Sequence, residues 1–425
     1  MAANNNYKSG RGSFELLAVS FAYPPLAYPR SGQVARLLKH MRASTTLICA
    51  DEAGARRDPT LEPEAEQSLR ACLRVPFASD GWRNTADRIA SRLRLPLWSK
   101  TPDQYASWKP AVLKALREFI SAHDYAPGVL VTFGQPMSDH LIGLELKRRY
   151  GWPWAAHFSD PWVDNPFHRY DTLTRARNLS LERSVMAAAN RLIFTSDETI
   201  EMVMAKYPSE WRAKTRVLPQ SFDPALYPPR AIEREPALTI RYTGEFYGRR
   251  TPKPLIAALR ALLSTRPALL QNVRFELIGP VDPLTLVDSG LESLPGELLV
   301  IRPPVNFQES LALTASADGL MIIDAPAQKS VFLPSKLIDY IGAGRPIIGL
   351  TPPGAAATLI RQLGGWVADP TDVETMTEAL TAFLSLLRQD KKATGQPWGE
   401  PSVRSSYEAP IVANSFESML HELLA

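Results

Sequence analysis

Residues 224–237 read PALYPPRAIEREPA. Rich in proline and charge, the stretch reads as an interdomain linker, and that reading decides the fold. On its N-terminal side short apolar runs alternate with longer helical patterns. The strand candidates there are FELLAVSF (14–21), TTLICA (45–50), GVLVTF (128–133), WAAHFS (154–159), RLIFTS (191–196) and TRVLPQ (215–220). Between them lie helix-period segments such as GQVARLLKHM, VLKALREFI, HLIGLELKRRY and LSLERSVMAAA. After the linker the alternation restarts with LTIRYTG (238–244), RFELIGP (274–280), ELLVIRPPV (297–305), GLMIID (319–324) and RPIIGL (345–350). From about Thr371 the chain is helical again, interrupted by TGQPWGEPSVRS. Alternation of this kind is the signature of parallel α/β layers.

The expected organisation is an N-terminal Rossmann-like domain over 1–225, a second over 226–385, and a tail and helix over 386–425 that packs back toward the first. Ligands in doubly wound sheets sit outside the carboxyl ends of the strands, so two such halves make a cleft. At 425 residues and 47.1 kDa the chain exceeds what one core usually supports, which agrees with two domains.

Composition narrows the function. Hydrophobic content of 45% and charged content of 22% are ordinary globular values. A net charge of +4 permits anionic partners without demanding any. Cys49 and Cys72 show no metal-type spacing, and no disulfide framework is indicated, so a reducing cytoplasm fits best. The polar start MAANNNYKSGRGS lacks a signal-peptide core, and no apolar run reaches the roughly 18 residues that span a bilayer. The chain has no G-x-S-x-G, no H-E-x-x-H, no G-x-x-x-x-G-K-[ST] and no G-x-G-x-x-G, which removes the common hydrolase, zinc, P-loop and dinucleotide signatures.

Two strand-to-helix junctions carry anion-binding chemistry instead. In FAYPPLAYPRSGQVARLL, Ser31 and Gly32 lead into a helix, where glycine lets backbone N–H groups approach a phosphate. A plain turn glycine with a serine cap is the other reading. In RYTGEFYGRRTPKPLIAALRAL, the strand stops at Gly244, and Arg249, Arg250 and Lys253 surround the first turn of the next helix. A helix N-terminus prefers acids, so this placement is electrostatically backward unless an anion binds there. A solvated basic loop is the alternative. A third segment, QKSVFLPSKLIDYIGAGRPIIGL (328–350), places Ser335 and Lys336 at a helix start with Asp339 three residues on. An intrahelical Lys–Asp pair competes there with ligand contact.

Several of these stretches carry a resemblance. VTFGQPMSDHLIGLELKRRYGWPWAAHFSDPWVDNP, TPDQYASWKPAVLKALREFI, YTGEFYGRRTPKPLIAAL and LPSKLIDYIGAGRPIIGL occur in an order that resembles bacterial GT-B glycosyltransferases of the retaining family-4 type, from about residue 14 onward. The resemblance implies two Rossmann-like domains, the second binding a nucleotide-sugar donor and the first an acceptor. No cofactor and no metal are implied, the nucleotide-diphosphate sugar being substrate. Gly244, Arg249 and Lys253 would hold the diphosphate by electrostatics. Ile278, Gly279, Pro304 and Val305 would lie near ribose and base, with Lys336 on phosphate or sugar and Asp339 on the ribose. Gly32 would complete the donor set.

The sequence also departs from that pattern. Relatives of this type carry two glutamates with seven residues between them; here Asp339 takes the second place and Val331 the first. Ser159 stands where arginine is common, ahead of Asp160-Pro161-Trp162.

On the acceptor side, Asp160 is the acid expected nearest the reacting hydroxyl, with an Asx turn as its alternative. His140 is expected either near the sugar or as a structural histidine. Trp152, Trp154 and Trp162 suit either sugars or a core. Residues 82–117 hold eight Lys/Arg against two Asp, with Trp82, Trp98 and Trp108. That reads as a peripheral membrane contact at the inner face of the membrane or as an exposed basic helix. The membrane reading makes the acceptor a lipid-linked saccharide rather than another glycan. No nucleic-acid module accompanies the patch. The same fold also accommodates a nucleotide-sugar 2-epimerase or a catalytically silent nucleotide-sugar or glycan binder.

Overall fold

A computed structural model describes residues 14–62, 64–78, 101–168, 170–228, 237–281, 289–389 and 396–424. The chain divides into two units, Met1–Gln220 with Ala409–Ala425, and Ser221–Glu408. The first unit is built on β1 (Glu15–Val19), β2 (Ser44–Glu52), β3 (Ala71–Phe77), β4 (Val129–Gly134), β5 (Trp154–Phe158), β6 (Arg191–Phe194) and β7 (Thr215–Val217). They form one parallel sheet in the order β3-β2-β1-β4-β5-β6-β7. Strand order reverses between β1 and β4.

Helices α1 (Pro29–Lys39), α2 (Lys109–His123), α3 (Ser138–Tyr150), α4 (Thr172–Ala188) and α5 (Asp197–Met204) connect these strands. Side chains alternate across each strand, so both faces of the sheet are covered. Leu17, Val19, Ile48 and Leu130 enter one core with Val112, Leu116 and Ile142. Leu16, Ala18, Leu47 and Val131 enter another with Val34, Leu38, Val412 and Phe416. The last two belong to the C-terminal helix of the described chain, Ala409–His421. Its Glu417 accepts the backbone N–H groups of Arg42 and Ala43 at 2.5 and 2.6 Å, and Glu422 pairs with Arg191 at 2.6 Å.

The second unit repeats the plan. Strands β8 (Leu238–Thr243), β9 (Val273–Ile278), β10 (Leu299–Arg302), β11 (Gly319–Ile323), β12 (Ile347–Leu350) and β13 (Trp366–Ala368) lie parallel in the order β10-β9-β8-β11-β12-β13. The order reverses between β8 and β11. Helices α6 (Lys253–Thr265), α7 (Phe307–Ser316), α8 (Ser335–Ala343), α9 (Ala355–Gln362) and α10 (Val373–Gln389) flank it. The C-terminal helix Ala409–His421 is α11.

Two strands escaped the sequence reading, ACLRVPF (β3) and WVA (β13). Both are edge strands. Edges tolerate Arg74 and Pro76, and three residues are too few to register as an apolar run. Residues 229–236 of the linker and 82–100 of the basic stretch lie outside the described residues. Of that stretch's tryptophans, Trp108 is 1% exposed and donates Nε1–H to the Val75 carbonyl, so it is a core residue. Among the described residues no helix is long and apolar enough to cross a membrane.

Candidate functional site

In the second unit, the carboxyl ends of β8, β9 and β11 converge at the point of strand-order reversal, where open α/β sheets bind ligands. β8 stops at Gly244 because the chain there takes φ 137°, which L side chains rarely adopt. Gly279 ends β9 with φ 142°, and a Cβ on it would collide with the Gly244 carbonyl. The two glycines thus let adjacent strand ends lie backbone against backbone.

Into this junction comes α8. Pro334 precedes its first residue with extended ψ, which puts Ser335 and Lys336 in the first turn; Gly344 closes the helix at φ 63°. The Tyr340 hydroxyl accepts the backbone N–H of Thr243 at 2.8 Å, which locks the helix to β8. The Lys336 ammonium then lies against Gly244, donates to the Tyr242 hydroxyl at 2.6 Å and sits 4.0 Å from the centre of that ring. It does not pair with Asp339, and no carboxylate lies within ion-pair distance of it among the described residues. Burial, reinforced by the nearby Arg250 charge, pulls its pKa down to about 7.

A second cation lies close by but is compensated. Arg250 pairs with Asp324, just past β11, at 2.9 Å, and stacks over Tyr247 at 5.0 Å. The other Asp324 oxygen accepts from Thr351, after β12, at 2.8 Å. Lys336 is thus the cation without a paired carboxylate, although Asp324 and Glu245 both act on it from farther off; Phe246 stacks on Tyr242, and Tyr247 lies under Arg250.

Of the donor-side residues singled out in sequence, the fold brings Gly244, Gly279 and Lys336 together and sets Ser335 beside them. Arg249 and Lys253 are exposed, in the loop before α6 and at its first residue. Their neighbour Arg250 is the one anchored into the site. Val305 precedes α7 beyond β10, two strands away from β8. Asp339 is half-buried, its backbone carbonyl accepting from the Tyr227 hydroxyl at 2.8 Å. Val331 is 4% exposed, and its loop is clamped by paired Ser330 and Gly354, with Ser330 N–H donating to the Pro353 carbonyl at 2.8 Å. Gly32 is the fourth residue of α1, in its first turn. It lies inside α1, where a Cβ would meet Leu61 at 3.0 Å and Arg36 at 3.3 Å, so close packing accounts for the glycine.

The first unit gathers a different cluster at the ends of β1, β4 and β5. Arg30, buried in α1, donates to His157 Nδ1 at 2.7 Å and to its carbonyl at 3.3 Å. Asp139 accepts the Phe21 N–H at 2.8 Å, and Asp160 accepts from Ser159 Oγ at 3.1 Å. Burial raises the pKa of Asp160, opposed by that hydrogen bond and by Arg30. His140 is fully buried, bonds Thr132 at 2.8 Å and packs on Phe158. Burial, then Arg30, lowers its pKa to about 3, so it is neutral. Trp154 and Trp162 are core residues, and Trp152 stacks on Tyr150. Sequence reading missed Tyr242, Asp324 and Arg30; the first two carry no signal beyond a strand end and the third none beyond a helix start. Among the described residues no group of three or more His, Cys, Asp or Glu could hold a metal ion.

No protein-family model matches the chain, and no curated protein does. Solved structures do. The chain is similar to sucrose-phosphate synthase from Thermosynechococcus elongatus, with TM-score 0.65 and 15% identity over 96% of this chain and 98% of that one. It is similar to HepE of Anabaena in complex with UDP and glucose, with TM-score 0.62 and 14% identity over 96% and 100%. A putative UDP-N-acetylglucosamine 2-epimerase from Listeria monocytogenes matches with TM-score 0.56 and 12% identity over 98% and 97%. The fold is GT-B, with two Rossmann-like parallel-sheet domains of seven and six strands.

Proposed function

We propose that the chain is a glycosyltransferase that moves a sugar from a nucleotide-diphosphate donor to a hydroxyl acceptor, a glycan or lipid-linked saccharide, with retention and without a cofactor or metal. The observation that carries this reading is Lys336. A partly buried ammonium whose close partners among the described residues are a phenol and its ring has no ion-pair partner there. It stands at the strand-order reversal, against a glycine that leaves room for a ligand. A diphosphate supplies the missing charge, and its negative charge grows as the sugar departs, so the same contact stabilises the transition state. Gly244 and Gly279 give the phosphates access to backbone; Ser335, at the start of α8, adds the positive end of the helix dipole. Arg249 and Lys253 attract the anion from solvent. Val305 and Asp339 contact base and ribose. In the first unit Asp160 receives the acceptor hydroxyl, and His140 supports it from beneath as a neutral, packed side chain. The site of action is the cytoplasm, with peripheral contact at the membrane.

The UDP in the HepE complex supports a nucleotide donor, while the epimerase neighbour favours a second reading, inversion at the sugar C2. One experiment separates them. The protein is incubated with a panel of nucleotide sugars, with and without membrane extract, and free nucleotide and sugar isomers are measured. Acceptor-dependent nucleotide release is expected. An isomeric nucleotide sugar formed without acceptor identifies the epimerase, and binding without turnover across the panel identifies a silent binder.

A further inference from the structure

The chain has two cysteines, and they meet. Cys49 on β2 and Cys72 on neighbouring β3 place their Sγ atoms 3.6 Å apart on the same face of the first sheet. Cys49 is fully buried; Cys72 is partly exposed. Two inert core thiols would both be shut away from solvent, whereas here one is reachable and the other lies directly behind it. We propose that the pair is a reversible thiol-modification site that takes a low-molecular-weight disulfide as reagent and closes to a Cys49–Cys72 disulfide.

The chemistry balances in two exchanges. The Cys72 thiolate attacks one sulfur of R–S–S–R, forming Cys72–S–S–R and expelling one thiolate. Cys49 gives up its proton and attacks Cys72 Sγ, forming the internal bond and expelling the second thiolate. The two protons pass to the departing thiolates, so the protein loses two hydrogens and the reagent becomes two thiols. In the ladder Cys72 lies opposite Leu47 and Cys49 opposite Arg74, so the bond runs diagonally. The sulfurs must close from 3.6 Å to about 2.05 Å. Among the described residues β3 is an edge strand, paired with β2 alone, and is the strand able to yield. Arg74 on β3 donates to the Pro24 carbonyl at 2.6 Å, and among the described residues the buried Tyr23 hydroxyl beside it has no hydrogen-bond partner. Closure therefore acts on the loop that follows β1 and leads to Arg30. A diagonal, partly exposed bond is of the reducible kind.

The full chain under native conditions is exposed to glutathione disulfide, and intact mass and thiol count are followed. The expected result is a monomer lighter by two hydrogens, both thiols lost together and both restored by dithiothreitol. Cys49→Ser should stop at a glutathione adduct on Cys72, and Cys72→Ser should leave Cys49 unmodified. Two persistent thiols in the wild-type protein overturn the proposal. So does a wild-type chain that stops at the adduct with Cys49 free, or one that forms disulfide-linked dimers.

Discussion

The Lys336 ammonium is held by one residue, Tyr242, which offers it a hydroxyl at 2.6 Å and a ring face at 4.0 Å. Both contacts are electrically neutral, and the carboxylates of Asp324 and Glu245 act on it only from beyond ion-pair distance, so the folded protein keeps a partly buried charge with no ion-pair partner among the described residues. Replacing Lys336 with Met should therefore split two properties that usually fall together. The unliganded protein should gain about 1 kcal/mol, because a partly desolvated charge without an ion-pair partner is removed. Affinity for UDP should fall at least about tenfold with the loss of a charged hydrogen bond. Thermal unfolding with and without UDP measures both.

The proton on Lys336 makes these effects depend on pH. Its pKa lies near 7 when folded, against the usual 10.5. Below about pH 7 both states hold the proton and the whole cost of burying the charge is present. Between about 7 and 10.5 the unfolded chain binds more protons, so this residue makes stability rise with pH. Diphosphate binding needs the protonated form and runs the other way, weakening above pH 7 and taking up a proton. Titration calorimetry in two buffers of different ionisation enthalpy should show the uptake in the wild type at about pH 8.5, little of it from this residue at about pH 6, and at about pH 8.5 its loss in Lys336→Met.

Gly244→Ala and Gly279→Ala should each cost about 1–3 kcal/mol in urea denaturation, from positive φ and from collision. A Cβ at Gly364, with φ 87°, meets nothing within 4 Å, so Gly364→Ala isolates the backbone contribution at about 1 kcal/mol. Gly244→Ala should also abolish UDP binding, because its methyl lands on the Lys336 ammonium. Equal costs at all three positions would show that the contacts around Gly244 and Gly279 add nothing.

Asp324→Asn leaves Arg250 without its partner in a pair whose side chains are 11% and 7% exposed. The expected loss is about 3 kcal/mol. Asp324 also raises the Lys336 pKa, so the pH midpoint of UDP binding should move down in this variant. A midpoint that stays in place means that Asp324 does not act on Lys336.

Most of the architecture was legible because parallel strands buried on both faces leave unmistakable apolar runs, and Gly244 and Gly279 each follow directly on such a run, while Lys336 stands in the first turn of a helix whose start Pro334 marks. What escaped reading depends on neighbours distant in sequence. Arg249 and Arg250 are indistinguishable as letters; only the position of Asp324, seventy-four residues on, decides which one is drawn in. Gly32 looks like a phosphate glycine until Leu61 is seen to cover it. Tyr242 was read as a strand residue, and nothing in its local sequence marks it as the partner of a lysine ninety-four residues later.

The C-terminal helix α11 belongs to the core of the first unit, where Val412, Ala413, Phe416 and Leu420 pack among strands drawn from the chain's beginning. During synthesis those strands emerge first and wait with that face uncovered until residues 221–408 have followed. The second unit, continuous in the chain, can close as soon as it has left the ribosome. The half of the molecule made first is thus the half completed last, and a nascent chain cut short before α11 exposes an apolar face for chaperones to bind.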